Sequence, residues 1–236
     1  MVATTVTQRD QPNAIAPAWH TVVVLLVLFT FSALSARAQS LSPIDPSHGR
    51  LVSYATVLAL EWFLIAFIWF GIRQRRMQLR ELIGGSWPSL WAVLRDLGVA
   101  ILFLIAANVV LTALGYLLRA TPSASMRSIF PNGPTEIVVY LFLALTAGIC
   151  EEIIFRGYLQ NQFAALTKSR AAGLLLQGVA FAAAHGYQSR QFIFIIAVYG
   201  CLFGLLAYWR RSLRPGMTAH FLNDAIGGLV TRHFLK

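Results

Sequence analysis

The fold class is decided by residues 135–157, which read TEIVVYLFLALTAGICEEIIFRG. The stretch is long enough to cross about 30 Å of hydrocarbon, because a crossing helix needs about 20 mostly apolar residues. Two adjacent carboxylates, Glu151 and Glu152, nevertheless lie within it. An ionisable group inside a span costs about 2.5–3.5 kcal/mol by insertion scales. The stretch therefore predicts a membrane helix whose carboxylates have a function or a specific partner.

The composition of the whole chain agrees with a membrane protein. Of the 236 residues, 57% are hydrophobic and 12% are charged, which excludes a disordered chain and disfavours a soluble globule. The net charge of +10 would suggest nucleic acid in a soluble protein. Here the basic residues fall between apolar runs, so the expected partner is the lipid bilayer and not nucleic acid. Cys150 and Cys201 lie in apolar stretches and predict neither a disulfide framework nor a zinc ribbon.

Further stretches meet the same test for membrane helices. They lie at about 18–36, 51–72, 97–118, 191–209 and, with lower hydrophobicity, 215–231, with an Ala- and Gly-rich stretch at about 171–187. The sequence thus predicts an all-α polytopic membrane protein with about seven transmembrane helices. The number is six if the first span is a cleaved signal, because Ala36-Arg37-Ala38 has the shape of a cleavage site. A retained anchor is the preferred reading of that span.

The basic residues also predict the orientation and the regions of the chain. With the N-terminus inside, twelve of the nineteen Lys and Arg fall on the inner side. The positive-inside rule therefore predicts an integral protein of the cytoplasmic (plasma) membrane with its N-terminus inside. The expected regions are a polar N-terminal tail at 1–16, N-terminal helices at 17–134, a helical catalytic core at 135–231 and a C-terminal tail at 232–236.

A basic and aromatic segment at 72–95 lies between the second and third spans. It is predicted to lie at the membrane interface, with breaks at Gly84-Gly85 and Pro88. The alternative is a solvated loop that only sets the topology.

The two carboxylates of the fourth span are expected to have different surroundings. Helical spacing puts Glu152 and Arg156 on one face as an i,i+4 pair. Glu151 points about 100° away at 3.6 residues per turn. One acid is therefore paired, and the other is available for chemistry.

Two histidines and an aspartate are expected at a similar depth. A helical hairpin that turns at Lys168 puts Glu151 and His185 at the same height, roughly 10 Å below the cytoplasmic surface. His220, with Asp224 one turn later, follows a basic turn by a similar distance. These residues are predicted to meet in one cytoplasm-facing cavity. Arg190 comes soon after His185, so the helix that carries His185 must be short.

Two other polar residues have structural interpretations. Glu61, near the middle of the second span, is interpreted as a protonated or interhelically hydrogen-bonded structural group, with a proton relay as the alternative. Asn223 is interpreted as a residue that forms a hydrogen bond in helix packing.

Three motifs on separate helices resemble the type II CAAX prenyl endopeptidase and bacteriocin-processing family of intramembrane proteases. The resemblance covers about 135–231 and is carried by Glu151-Glu152-x-x-x-Arg156, Phe181-x-x-x-His185 and His220-x-x-x-Asp224.

The resemblance implies roles for these residues. Glu151 and His185 would activate the hydrolytic water, and His220 and Asp224 would stabilise the oxyanion. Supporting roles would fall to Glu152, Arg156, Phe181 and Asn223. Relatives often have Asn at the position of Asp224. Because an ionised Asp cannot donate a hydrogen bond, it would have to be protonated or hold His220.

The cofactor and the substrate stay open at this point. The resemblance favours a glutamate mechanism without a cofactor, although Glu151, His185 and His220 would also suit a zinc ion. The expected partner is a prenylated protein or another membrane-associated peptide, cleaved near the cytoplasmic membrane face. The alternatives are a non-enzymatic protein of the bacteriocin-immunity type and, third, a proton-coupled transporter, which would use Glu61.

Overall fold

The fold is a bundle of helices in a computed structural model that describes residues 13–41, 49–121, 129–186 and 188–234. The helices are α1 (Ala18–Leu41), α2 (Gly49–Arg73), α3 (Leu79–Ile83), α4 (Leu90–Leu117), α5 (Pro134–Thr167), α6 (Arg170–Ala184), α7 (Arg190–Arg210) and α8 (Arg214–Phe234). Within the described residues no strand occurs, and the predicted all-α class is confirmed. Most of the predicted tail at 1–16, and residues 235 and 236 of the predicted C-terminal tail, lie outside the described residues.

Five of the described helices are long and apolar enough to cross a membrane. They are α1, α2, α4, α5 and α7. The other two predicted spans correspond to α6, with 15 residues, and to α8, with 21 residues. Both pack against the five long helices, α6 against α5 and α7, and α8 against α4 and α5. The polytopic arrangement is therefore confirmed. Helices α6 and α8 are held in it by their packing against the long helices.

The hairpin between α5 and α6 turns where the sequence predicts. Lys168 has a φ of 54°, a left-handed conformation that ends α5. Ser169 then caps α6, its side chain accepting a hydrogen bond from the backbone N–H of Ala172 at 3.2 Å. Because α6 ends at Ala184, the expected short helix before Arg190 is also confirmed.

The second half of α5 departs from the regular α-helix that the sequence suggests. Residues Glu152–Leu159 form a π-helical segment, and all eight are buried. The Asn161 side chain donates to the backbone carbonyls of Arg156 and Gly157 at 3.2 and 2.8 Å. These bonds satisfy carbonyls of the widened turns, and such π segments recur at functional sites.

Helix α1 packs into the bundle through specific polar bonds. The buried Gln162 side chain accepts hydrogen bonds from the backbone N–H groups of Ile15 and Ala16 at 3.0 and 3.2 Å. His20 lies 2.8 Å from the hydroxyl of Tyr158, which is fully buried. Without α1 these polar groups would lose their partners. Retention of the first span stays a prediction.

Helix α8 approaches α5 closely because α5 has a glycine at the crossing point. A Cβ on Gly148 would lie 2.9 Å from the backbone nitrogen of Phe221. Any larger side chain would therefore push α8 away. The crossing brings His220 to the level of Glu151 and Glu152.

The basic end of the bundle comprises the C-terminal end of α2, the N-terminal end of α4 and the turns after α5 and α7. Its basic residues are Arg73, Arg75, Arg76, Arg80, Arg95, Lys168, Arg170, Arg210, Arg211 and Arg214. The segment at 72–95 docks here. Its predicted break is present as Gly84 and Gly85, with φ of 90° and 83°. Leu82 is buried in the core, so this segment is not merely a solvated loop.

Candidate active site

His220 on α8 lies among three carboxylates. Its Nδ1 is 3.1 Å from Oε1 of Glu152. Its Nε2 is 3.7 Å from Oε2 of Glu151 and 3.6 Å from Oδ2 of Asp224. A carboxylate that is ionised only accepts hydrogen bonds, so the Nδ1–H of the ring donates to Glu152. This bond turns Nε2 towards Glu151 and Asp224.

A buried ion pair holds Glu152 in place. Nη1 of Arg156 lies 2.9 Å from Oε1 of Glu152, and the side chains are 0% and 1% exposed. The guanidinium lies over the rings of Phe181 and Phe203, at 4.4 and 4.9 Å from their centroids. Cation–π contacts and the ion pair together compensate the burial of this charge. The pair predicted from i,i+4 spacing is confirmed, and it also orients His220.

His185 follows α6 directly and is held by the backbone around it. Its Nδ1 donates to the backbone carbonyl of Phe181 at 2.8 Å. The ring of Phe181 is 4.7 Å from the His185 ring. Ser32 of α1 fixes the following turn, since its hydroxyl donates to the carbonyl of Ala183 and accepts from the N–H of Gly186. The loop that carries His185 thus depends on α1.

The polar residues line one large cavity. Its volume is about 1290 Å³, and its wall includes Glu151, His185, His220 and Asp224. The sequence predicted these four as the catalytic residues, and the fold brings them together in a single space. Their roles remain predictions, since geometry alone does not test them.

The cavity extends away from the basic end. Along α5 it runs from Glu151 back to Tyr140, and along α2 from Glu61 back to Arg50. The C-terminal ends of α1 and α4 complete its wall. The N-terminus and the basic end belong to the opposite end of the bundle. The cavity therefore does not lie at the end of the bundle where α1 begins, and the side of the membrane that it faces stays a prediction. The distance from the Lys168 turn gives the height of a residue, but the splay of the helices decides where the cavity opens.

Asp224 is positioned by its neighbours. Asn223 donates to Oδ1 of Asp224 at 3.1 Å, and Tyr140 donates to the Asp224 backbone carbonyl at 3.0 Å. The Asn223 amide donates to the adjacent residue of its own helix, so the expected hydrogen bond between helices is not found among the described residues. Asp224 accepts this bond, and its Oδ2 faces Nε2 of His220 at 3.6 Å, so its side chain can hold the ring.

Two further residues of the cavity wall were not placed in the site from the sequence. Glu61 on α2 is 4% exposed and lines the cavity. Neither of its oxygens has a hydrogen-bond partner among the described residues, so the expected interhelical bond is not found. The hydroxyl of Tyr199 on α7 is also buried, and it has no hydrogen-bond partner among the described residues. A mid-span carboxylate is a usable signal for the former residue. A tyrosine in an apolar helix gives no such signal.

The zinc alternative has no support in the geometry of the described residues. Among them no group of three His, Cys, Asp or Glu side chains is arranged to hold a metal ion. Metal dependence therefore stays a prediction for solution experiments.

Residues 133–226 match the sequence model of the family described as "Type II CAAX prenyl endopeptidase Rce1-like". The family resemblance expected from the sequence is confirmed over these residues. The matched segment, the family-matched core, extends from the start of α5 into α8 and contains all four candidate catalytic residues. Glu61 and Ser32 lie outside it.

One curated relative adds a weaker likeness. The chain is 36% identical over 88 residues to "Uncharacterized protein YpbD" of Bacillus subtilis (strain 168), covering 36% of this chain and 42% of that protein. The chain thus spans about two fifths of the length of this relative. No solved structure matches the chain.

Proposed function

We propose that the protein is an intramembrane endopeptidase that hydrolyses a peptide bond of a membrane-associated substrate inside the cavity. The observation that supports it is the meeting of Glu151, His185, His220 and Asp224 on the wall of one cavity. These residues lie in the family-matched core. The apolar helices around them agree with an integral membrane protein.

Glu151 is the general base of this proposal. With His185 it orients a water molecule, takes one of its protons and lets the oxygen attack the carbonyl carbon of the substrate. Glu152 already forms an ion pair with Arg156 and accepts a hydrogen bond from His220. Glu151 has no such ion pair within its own helix, and its Oε2 is buried without a hydrogen bond among the described residues. A general base of this kind contributes about 10²–10⁴-fold to the rate.

His220 stabilises the oxyanion through Nε2, which Glu152 orients. Asp224 holds the ring and does not donate. The Tyr199 hydroxyl supplies the second donor, in place of the amide that relatives often have at the position of Asp224. Donors aimed at a developing oxyanion are worth about 10²–10³ each in a site that excludes water.

The substrate is a prenylated C-terminal tail or another membrane-associated peptide. A cavity of about 1290 Å³ exceeds the roughly 300–1,000 Å³ of common small-molecule sites, so it has room for a peptide with an apolar chain. The mechanism uses side chains only and needs no cofactor.

The basic end lies at the cytoplasmic face of the plasma membrane, by the positive-inside rule. The N-terminus is then inside, and the cavity opens towards the opposite face. Substrate therefore enters from the non-cytoplasmic side or from the bilayer, which replaces the expectation of cleavage near the cytoplasmic face.

The test is cleavage of a fluorogenic farnesylated CAAX peptide by the purified full chain. Glu151→Gln and His185→Asn should each lower kcat by about 10²-fold or more. Glu81→Gln is the control, because Glu81 is exposed on α3 at the basic end. Activity should persist in chelator, whereas activity lost in chelator and restored by zinc would contradict the cofactor-free mechanism. Tight binding of the peptide without cleavage would favour the immunity-type alternative.

A further inference from the structure

Glu61 differs from the other buried carboxylates of the described residues. Glu136 accepts from Arg50 at 2.9 Å, Asp96 lies 3.0 Å from Arg210, and Glu152 pairs with Arg156. Glu61 is as buried as these acids, yet both of its oxygens lack a hydrogen-bond partner in the described part of the chain. A structural acid is normally held by a donor or a cation. Glu61 therefore holds no other side chain in place among the described residues.

The position of Glu61 gives it access to the reaction. It lies on the wall of the same cavity as Glu151 and His220, although it comes from α2, outside the family-matched core. Helix α2 packs directly against α5, which carries Glu151. The titratable groups that interact with Glu61 are Cys150 and Glu151 of α5 and His220 and Asp224 of α8.

The surroundings of the two carboxyl groups differ: Glu61 is 4% exposed and has no partner among the described residues, whereas the Glu151 side chain is 19% exposed and lies 3.7 Å from Nε2 of His220. An ionised carboxylate without a hydrogen bond is unfavourable in an apolar wall, and a second negative charge beside Glu151 and Asp224 adds repulsion. Two carboxyl groups whose surroundings differ in this way divide the roles of acid and base.

We propose that Glu61 is the general acid that protonates the leaving amine, a role that rests on the proposed peptidase function. Glu151 takes a proton from water as the new C–O bond forms. The scissile C–N bond then breaks, its electron pair goes to nitrogen, and nitrogen takes the proton of Glu61. The products are a carboxylic acid and an amine. Glu61 regains a proton from Glu151 through a second water, which restores both carboxyl groups.

The experiment compares two substrates that differ in their need for an acid. One is the farnesylated peptide with its scissile amide, and the other carries an activated phenyl ester at that bond. The phenolate leaves without protonation. Glu61→Gln has the shape of the protonated acid and cannot transfer its proton. We expect kcat for the amide to fall by about 10²-fold with KM unchanged, while kcat for the ester stays within about threefold. Glu61→Asp should restore part of the amide activity.

Glu136→Gln is the matched control, since Glu136 is a buried carboxylate of the same cavity end with a structural partner. Any effect of that change should fall equally on both substrates. An equal loss on both substrates in Glu61→Gln, or no loss on either, would overturn the role of Glu61 and leave the peptidase function standing. Wild-type protein that hydrolyses neither substrate would instead overturn the peptidase function, and the role of Glu61 with it.

Discussion

Two buried carboxylates, Asp96 at the basic end of the bundle and Glu61 on the cavity wall, have opposite surroundings. At the basic end, Asp96 lies 3.0 Å from Arg210 and accepts from the indole N–H of Trp87 at 2.9 Å. At the cavity end, Glu61 is equally buried and has no hydrogen-bond partner among the described residues. Satisfied polar groups stabilise a fold, whereas a carboxyl left without partners costs stability and persists where it serves a function. The comparison separates a structural carboxylate from one that is available for chemistry.

The largest effect is expected where the two ends meet, at the ion pair in the middle of α5. Arg156→Met leaves Glu152 buried without its cation, which should cost about 3–5 kcal/mol of unfolding free energy. The ring of His220 would also lose its fixed partner, so activity should disappear.

Thermal unfolding in detergent and peptide cleavage measure the two effects of Arg156→Met. The control is Arg95→Met, because the Arg95 side chain is 54% exposed and its pair with Asp96 spans 3.6 Å. An exposed pair of this kind contributes about 0–1 kcal/mol. Equal stability of the two variants would contradict the assignment of the buried pair.

The next prediction is that Asp96 and Glu61 have opposite effects when they are replaced, Asp96 on stability and Glu61 on activity. Asp96→Asn should lower the unfolding free energy by about 2–4 kcal/mol, because Arg210 loses its counter-charge. Cleavage per folded molecule should change little. Glu61→Gln should leave stability the same or raise it, while amide cleavage falls.

Denaturation curves and active-site-normalised rates measured on both variants give the answer. If Glu61→Gln proved the less stable protein and kept its activity, the division into a structural carboxylate and a chemical carboxylate would fail.

A smaller effect, confined to the rate, is expected at the oxyanion donor. Tyr199→Phe removes one hydroxyl from the cavity wall and should lower kcat by about 10²-fold, equivalent to about 2.7 kcal/mol, with KM nearly unchanged. Tyr208→Phe on the same helix is the control, since its hydroxyl donates to the Arg170 carbonyl at the basic end. A rise in KM without a change in kcat would assign Tyr199 to substrate binding instead.

The last prediction concerns the side of the membrane from which the cavity can be reached, and it is tested by labelling and not by activity. In a background without Cys150 and Cys201, a cysteine in place of Thr121 should react with a membrane-impermeant maleimide in intact cells. Thr121 follows α4 and lines the cavity. A cysteine in place of Thr167, next to the turn at the basic end, should react only after the cells are permeabilised. The reverse pattern would invert the proposed orientation and put the cavity on the cytoplasmic side.

Much of the site could be predicted because it depends on spacing along single helices. The i,i+4 rule gives the pair of Glu152 and Arg156, and the charged turn at Lys168 gives the hairpin. Equal distances from that turn predict that Glu151 and His185 share a level. These inferences use only the rise and twist of a helix, which the backbone fixes locally.

Other parts depend on packing between helices that are far apart in the sequence. Glu61 and Tyr199 join the site because α2 and α7 lie against the core, and no local pattern specifies which face of an all-apolar helix points inward.

The sequence by itself determined the helical membrane class, the motif residues and the excess of positive charge at one end. Only the tertiary structure decided that the cavity lies towards the other end, that His220 is oriented by Glu152, and that a carboxyl of α2 faces the site. The physical reason is that hydrophobicity and charge act along the chain and against the bilayer, whereas a cavity exists only where packed helices diverge.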